Sequence, residues 1–101
     1  MAVRESYIEQ KVCAHAKLCG WLAFKFVSPG NSGVPDRIFL RSGCALFVEF
    51  KAPGAQCTPL QLRQHERLRK YGFPTVVIDN VDDGVKFFEA ISAAQVSIPR
   101  G

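Results

Sequence analysis

A mixed β-sheet flanked by helices, in the chain order α-β-β-β-α-β-α, is the α/β fold class this sequence predicts. Three observations predict it. Residues 37–41 and 45–51 are rich in β-branched, aromatic and leucine residues and are joined by Ser42-Gly43, the composition of a β-hairpin. Residues 6–19 and 58–71 each open on a helix-start pattern and carry apolar residues at helical spacing. Residues 73–79 form a nearly continuous apolar run, as in a strand buried on both faces, and a helical stripe of Val85, Phe88 and Ile91 follows.

In the first helix, Ser6-Tyr7-Ile8-Glu9 fits a capping box with Glu9 at the third helical position. Ile8, Val12, Cys13, Ala16 and Cys19 share one arc at 100° per residue, and Glu9 falls inside that arc between Ala16 and Cys13. Glu9 therefore has two readings, a cap or a functional carboxylate on the buried side. Lys11 and Lys17 lie off the arc. Gly20 ends the helix, and residues 21–27 read as a strand alternating Leu22, Phe24 and Phe26 with Ala23 and Lys25.

Residues 28–35 form a Pro- and Gly-rich loop leading into Asp36. It is either a plain connector or a backbone that approaches a phosphate closely, which glycine permits; Ser32 and Gly33 are its candidate DNA contacts, Ser32 alternatively ordering a metal-bound water. In the hairpin, Ala45, Phe47, Glu49 and Lys51 share one strand face, and Leu46, Val48 and Phe50 share the other. Glu49 and Lys51 lie roughly 6–7 Å apart along that face. Asp36 opens the partner strand at the same end. A same-face salt bridge at a solvated edge is the bland interpretation. The chemical one is a magnesium-type site, since hard divalent cations take one or two carboxylates and complete their shell with water and substrate phosphate.

Residues 52–57 break the strand. Thr58-Pro59-Leu60-Gln61 then combines an N-cap, a first-turn proline and a capping-box glutamine. Leu60, Leu68 and Tyr71 are expected to form the buried arc of this helix, with Gln61 at its border and Gly72 as its C-cap. Arg63, Arg67 and Lys70 fall on a neighbouring stripe, either a solvated face or a set of phosphate contacts. Asp82 or Asp83 is expected to start the last helix, and residues 95–101 read as a frayed tail.

The length of 101 residues fits one domain, with its core over about 5–93 and a tail over 94–101. A net charge of +4 suits a polyanionic partner. No apolar run reaches the roughly 18–20 residues of a membrane span, and no signal-peptide pattern opens the chain, so a cytoplasmic protein is expected. Cys13, Cys19, Cys44 and Cys57 form no C-x-x-C pair and no ligand-like spacing with His15 or His65. They are expected to be reduced, mostly buried thiols without zinc or disulfides.

Pro35-Asp36, twelve residues, then Glu49-Phe50-Lys51 resembles the signature of the PD-(D/E)XK nuclease superfamily. Together with Glu9, S-G-V-P-D, E-F-K-A-P and T-P-L-Q, the chain resembles the VRR-NUC (virus-type replication-repair nuclease) family over about residues 5–91, and more distantly the Holliday-junction resolvases. The resemblance implies a restriction-endonuclease-like core and a metal-dependent DNA endonuclease of replication and repair, in a bacterial or phage-infected cell. It implies that Asp36, Glu49, the main-chain carbonyl of Phe50 and Glu9 hold one or two Mg²⁺ or Mn²⁺ ions. Lys51 would orient or deprotonate the attacking water or stabilise transition-state charge, and Gln61 would lie beside the catalytic carboxylates. It favours branched DNA, and one site on a small chain needs two copies to cut two strands, hence a homodimer. Cleavage of linear duplex or flap DNA, and a non-catalytic DNA-binding module, are the alternatives.

Overall fold

The hairpin forms where the alternation and the turn residues demand it. Arg37–Arg41 (β2) pairs antiparallel with Cys44–Phe50 (β3), and Ser42 and Gly43 both take positive φ, 48° and 79°, as a two-residue hairpin turn requires. The computed structural model describes residues 3–95. Around the hairpin stand Glu5–Leu18 (α1), Leu22–Lys25 (β1), Pro59–Lys70 (α2), Thr75–Ile78 (β4) and Val81–Ala94 (α3). The sheet order is β1-β2-β3-β4, antiparallel except for the parallel β3–β4 pair. This is the predicted element order and the predicted mixed sheet.

Strand alternation sorts the side chains into two layers. Phe39, Leu46, Val48, Phe50 and Ile78 face α1 and α3 and pack with Ile8, Val12, Ala16, Trp21 and Phe88 into one buried core. Phe39 and Phe88 lie 4.7 Å apart between ring centroids at its centre. The opposite face carries Ile38, Phe47 and Glu49; α2 meets it through His65 and Gln61, while the Phe47 ring stacks with Phe26 at 5.1 Å. Toward the β1 edge this face is open, and Leu22 and Phe24 are each 52% exposed.

Several expectations are corrected. The N-cap of α1 is Arg4, two residues before Ser6 and with no side-chain cap bond, so the Ser6/Glu9 capping box does not form. The Arg4 carbonyl accepts from the amides of Tyr7 and Ile8, which places Ser6 inside the first turn and leaves Glu9 free for other partners. α3 is capped by Asn80, whose side chain accepts from the Asp83 amide at 2.8 Å, rather than starting at Asp82 or Asp83. On α2 the expected arc of Leu60, Leu68 and Tyr71 is not the buried one. Leu60 is 40% and Tyr71 78% exposed, and the helix instead buries His65 completely. β4 is not buried throughout, because Val77 is 42% exposed beside the partial cover of α2.

The four cysteines are free thiols, and against the expectation of mostly buried ones none is fully buried and Cys44 is exposed. Gln95, expected in the tail, is tied in: its amide donates to the Arg41 carbonyl at 2.6 Å and its own carbonyl accepts from the Arg41 guanidinium at 3.0 Å. The rest of the expected tail, 96–101, lies outside the described residues.

Candidate active site

The candidate site lies where β2 begins and β3 ends. Asp36 precedes β2, and its Oδ2 accepts from the Phe50 amide at 2.8 Å, which pins the carboxylate against the end of β3. Glu49, only 3% exposed, shares a hydrogen bond with Asp36. Burial first, then that hydrogen bond and the Asp36 charge, push the Glu49 carboxyl up to about 8, with Lys51 opposing them. At neutral pH Glu49 therefore keeps its proton beside Asp36.

Lys51 follows β3. Its amide donates to the Ile78 carbonyl at 3.0 Å, which continues the parallel pairing by one residue. Its Nζ donates to Gln61 Oε1 at 2.9 Å. The same Gln61 oxygen accepts the Thr58 amide at 2.9 Å, while the Thr58 hydroxyl accepts the Gln61 amide at 3.1 Å. The capping box and the contact with the site therefore coexist. Fixing the helix start also fixes the oxygen that holds the lysine.

Glu9 is positioned differently. Arg37 pairs across the sheet with Val48, so its side chain points to the α1 face, where its Nε donates to Glu9 Oε2 at 2.9 Å. Among the described residues no three His, Cys, Asp or Glu side chains lie together as a metal-ligand cluster. The structure thus brings Asp36 and Glu49 together with Lys51 and Gln61, and engages Glu9 with Arg37. A cleft of about 320 Å³ nevertheless joins Glu9 to Asp36, with Lys25, Pro35 and Glu5 also in its wall.

Glu5 was not singled out from sequence. It lies one helical turn before Glu9, on the same side of α1. Partial burial, then the Asp36 charge, raise its carboxyl above the ordinary value, and Glu5 in turn raises Glu49. An i, i+4 acid pair in the first helical turns was the available signal. We expect Glu9→Gln to cost about 1–3 kcal/mol, because it leaves the half-buried Arg37 without its counter-charge, whereas Glu5→Gln shifts stability by less than about 0.5 kcal/mol; urea denaturation midpoints of the two variants check this.

His65 is the other residue the sequence did not reveal. It is fully buried, with Nε2 3.4 Å from Glu49 Oε1. Burial first, then the charges of Arg69 and Lys51, lower its pKa, so the ring stays neutral. A lone histidine among exposed helical positions gives no periodic signal.

The candidate DNA contacts are spread along α2 and the loop before β2. Arg63, Arg67 and Lys70 are exposed, and Arg67 reaches Gln64 at 3.3 Å. Gln64 donates to the Ser32 carbonyl at 3.1 Å, which fastens the loop to α2. Gly33 has φ +87°, and a Cβ there would come within 3.0 Å of the Leu60 backbone. Its glycine is needed for that close packing of loop on helix. A separate hollow of about 420 Å³, walled by Trp21, Leu46, Phe73 and Ile91, opens by the β2–β3 turn at the far end of the sheet and carries, among the described residues, no acid or base beyond Cys44.

No family model matches the chain. It is 47% identical over 81 residues to the "Putative nuclease p44" of Acyrthosiphon pisum secondary endosymbiont phage 1, an alignment spanning 79% of this chain and 87% of that one. A solved structure described as a VRR_NUC domain superposes with a TM-score of 0.79 at 32% identity, over 87% of this chain and 97% of that one. The chain belongs to the VRR-NUC family. The VRR-NUC assignment agrees with the geometry: the motif residues Pro35, Asp36, Glu49 and Lys51 stand at one end of the sheet. No helix among the described residues is long and apolar enough to cross a membrane.

Proposed function

We propose that this VRR-NUC chain is a metal-dependent endonuclease that hydrolyses DNA phosphodiester bonds, selective for branched DNA such as a Holliday junction and working as a homodimer in the cytoplasm of a bacterial or phage-infected cell. The observation that carries the reading is the Asp36–Glu49 pair beside Lys51. A buried acid kept protonated up to about 8, first by its burial and then by Asp36, is a poor structural choice, but the proton's place suits a hard cation. Asp36 and Glu49, with the Phe50 main-chain carbonyl, are the residues that would hold Mg²⁺ or Mn²⁺, and Glu9 and Glu5 stand across the cleft as further carboxylates. When bound, the cation supplies charge neutralisation at the phosphate and a more acidic water.

The chain's own groups supply the rest. Lys51, held by Gln61, presents an ammonium to the phosphate oxygens and stabilises the charge that builds there. The alternative is a base, which would require Lys51 to lose its proton as cations crowd it. Arg63, Arg67 and Lys70 form an exposed basic stripe that would position the backbone without reading sequence. The open apolar edge at Leu22 and Phe24 is what supports a second copy, and a twofold dimer presents two sites to a symmetric junction.

The test is cleavage of a fixed four-way junction and its matched linear duplex in Mg²⁺, Mn²⁺ or EDTA, with Glu49→Ala as control. Symmetric, metal-dependent cuts in the junction, absent in the variant, are expected. Equal cutting of linear duplex would remove the branched-DNA claim, and tight binding without cleavage in any metal would leave a DNA-binding module.

A further inference from the structure

We infer that α2 is a two-point clamp on β3, in which His65 is a positioning residue that orients the Glu49 carboxylate; the inference deepens the nuclease reading above and rests on it for its catalytic consequence. Glu49 and Lys51 are two residues apart on one strand face, about 6.6 Å at the usual strand rise. Gln61 and His65 are four residues apart on one helix face, about 6.0 Å along the axis. The two spacings agree within less than 1 Å, and the contacts follow that match: Gln61 takes Lys51 at 2.9 Å and His65 takes Glu49 at 3.4 Å. The earlier helix residue meets the later strand residue. One helix therefore sets both side chains of the Glu-x-Lys pair, and a slip of one residue in either element breaks both contacts.

The chemistry of the imidazole makes it more than filler. A fully buried ring could be replaced at lower desolvation cost by leucine or phenylalanine, unless its nitrogen is needed. Its Nδ1 has no hydrogen-bond partner among the described residues, so Glu49 is the ring's polar contact. A proton on Nδ1 would be an orphaned buried donor, which costs more than a bare ring nitrogen. The proton accordingly belongs on Nε2, and His65 donates to Glu49 Oε1. That bond occupies one carboxylate oxygen from the helix side and leaves the other for Asp36 and the open end of the site. Hydrogen-bonded partners behind ligating carboxylates commonly set metal affinity in this way.

The experiment compares wild type, His65→Phe and His65→Gln. Three readouts are taken: Mn²⁺ affinity by calorimetry without DNA, kcat and KM on a four-way junction, and the ring tautomer of His65 by long-range ¹H–¹⁵N NMR in metal-free wild type. The expected ring is neutral with its proton on Nε2. His65→Phe, which keeps the bulk, is expected to weaken Mn²⁺ binding about 10–100-fold and to lower kcat with little change in KM. His65→Gln, whose amide nitrogen can reach the Nε2 position, recovers most of both. A phenylalanine variant equal to wild type in Mn²⁺ affinity overturns the inference, as does a glutamine variant no better than phenylalanine, or a proton on Nδ1. Should the phenylalanine variant not fold, the glutamine variant and the tautomer still decide. If wild type neither binds Mn²⁺ nor cleaves, the nuclease reading falls, and the tautomer alone judges the clamp.

Discussion

Asp36→Asn is expected to abolish cleavage while making the metal-free protein more stable at alkaline pH. The two effects have one cause. In the folded protein Glu49 keeps its proton up to about 8, against an ordinary value of 4.5, first because it is buried and then because Asp36 faces it. The folded state thus holds more protons than the unfolded one between those two values. Stability from this group is complete below about pH 4.5 and is lost as pH rises toward 8, by at most about 1.4 kcal/mol per pH unit. Asparagine keeps an oxygen for the Phe50 amide, now accepted by Asp36 at 2.8 Å, but removes the like charge. Thermal melts in EDTA from pH 5 to 9 should show a falling wild-type profile and a flatter variant one. Adding Mn²⁺ at pH 8 should restore wild type and leave the variant nearly unmoved, and junction cleavage should drop by about 10³-fold or more. Equal pH slopes in the two proteins would mean that Asp36 does not raise Glu49, and the cation argument would lose its basis.

Gly84→Ala should destabilise the fold although it lies inside a helix. Alanine in a helix interior ordinarily gains close to 1 kcal/mol over glycine. Here a Cβ would collide with Val12 Cγ2 and come within 3.0 Å of Ile78 Cγ2, where α3 crosses α1 above the sheet. Val12 is completely buried and, being β-branched, has little rotamer freedom to yield. Overpacking of this kind costs about 1–3 kcal/mol, which reverses the propensity gain. The second variant to make is Gly84→Ala with Val12→Ala. If the collision is the cause, the pair is less destabilised than the sum of the singles, and a double-mutant cycle from urea denaturation reads the coupling. Strict additivity would place the cost elsewhere. Because α1 also carries Glu5 and Glu9, any shift of that helix moves one wall of the cleft that joins Glu9 to Asp36.

Much of the architecture is legible in the sequence. Period-2 alternation in residues 45–51, turn residues at Ser42-Gly43 and the capping box at Thr58/Gln61 are all local signals, and local geometry honours them. The element order follows from these signals. So does the meeting of Asp36 with Glu49, because a two-residue turn fixes the register of a hairpin and hence which ends coincide. Helix boundaries were less legible: Arg4 and Asn80 take the N-cap positions that had been expected at Ser6 and at Asp82 or Asp83.

What the chain could not announce concerns partners brought together across layers. Glu9 belongs to Arg37 because Arg37 points to the α1 side of the sheet and Asp36, one residue earlier, does not follow it there. His65 is buried rather than Leu60 or Tyr71 because the helix is turned by its grip on Glu49 and Lys51, which no count of apolar residues on α2 records. Hydrophobic periodicity assigns a face by transfer free energy summed over many residues. On a short helix whose stripe is weak, two polar contacts to a buried strand end outweigh that sum. The sequence by itself determined the elements, their order and the acidic pair at the strand ends. Only the tertiary structure decided which side chains hold that pair in place, since those contacts depend on the distance between a helix and a strand, which neither contains alone.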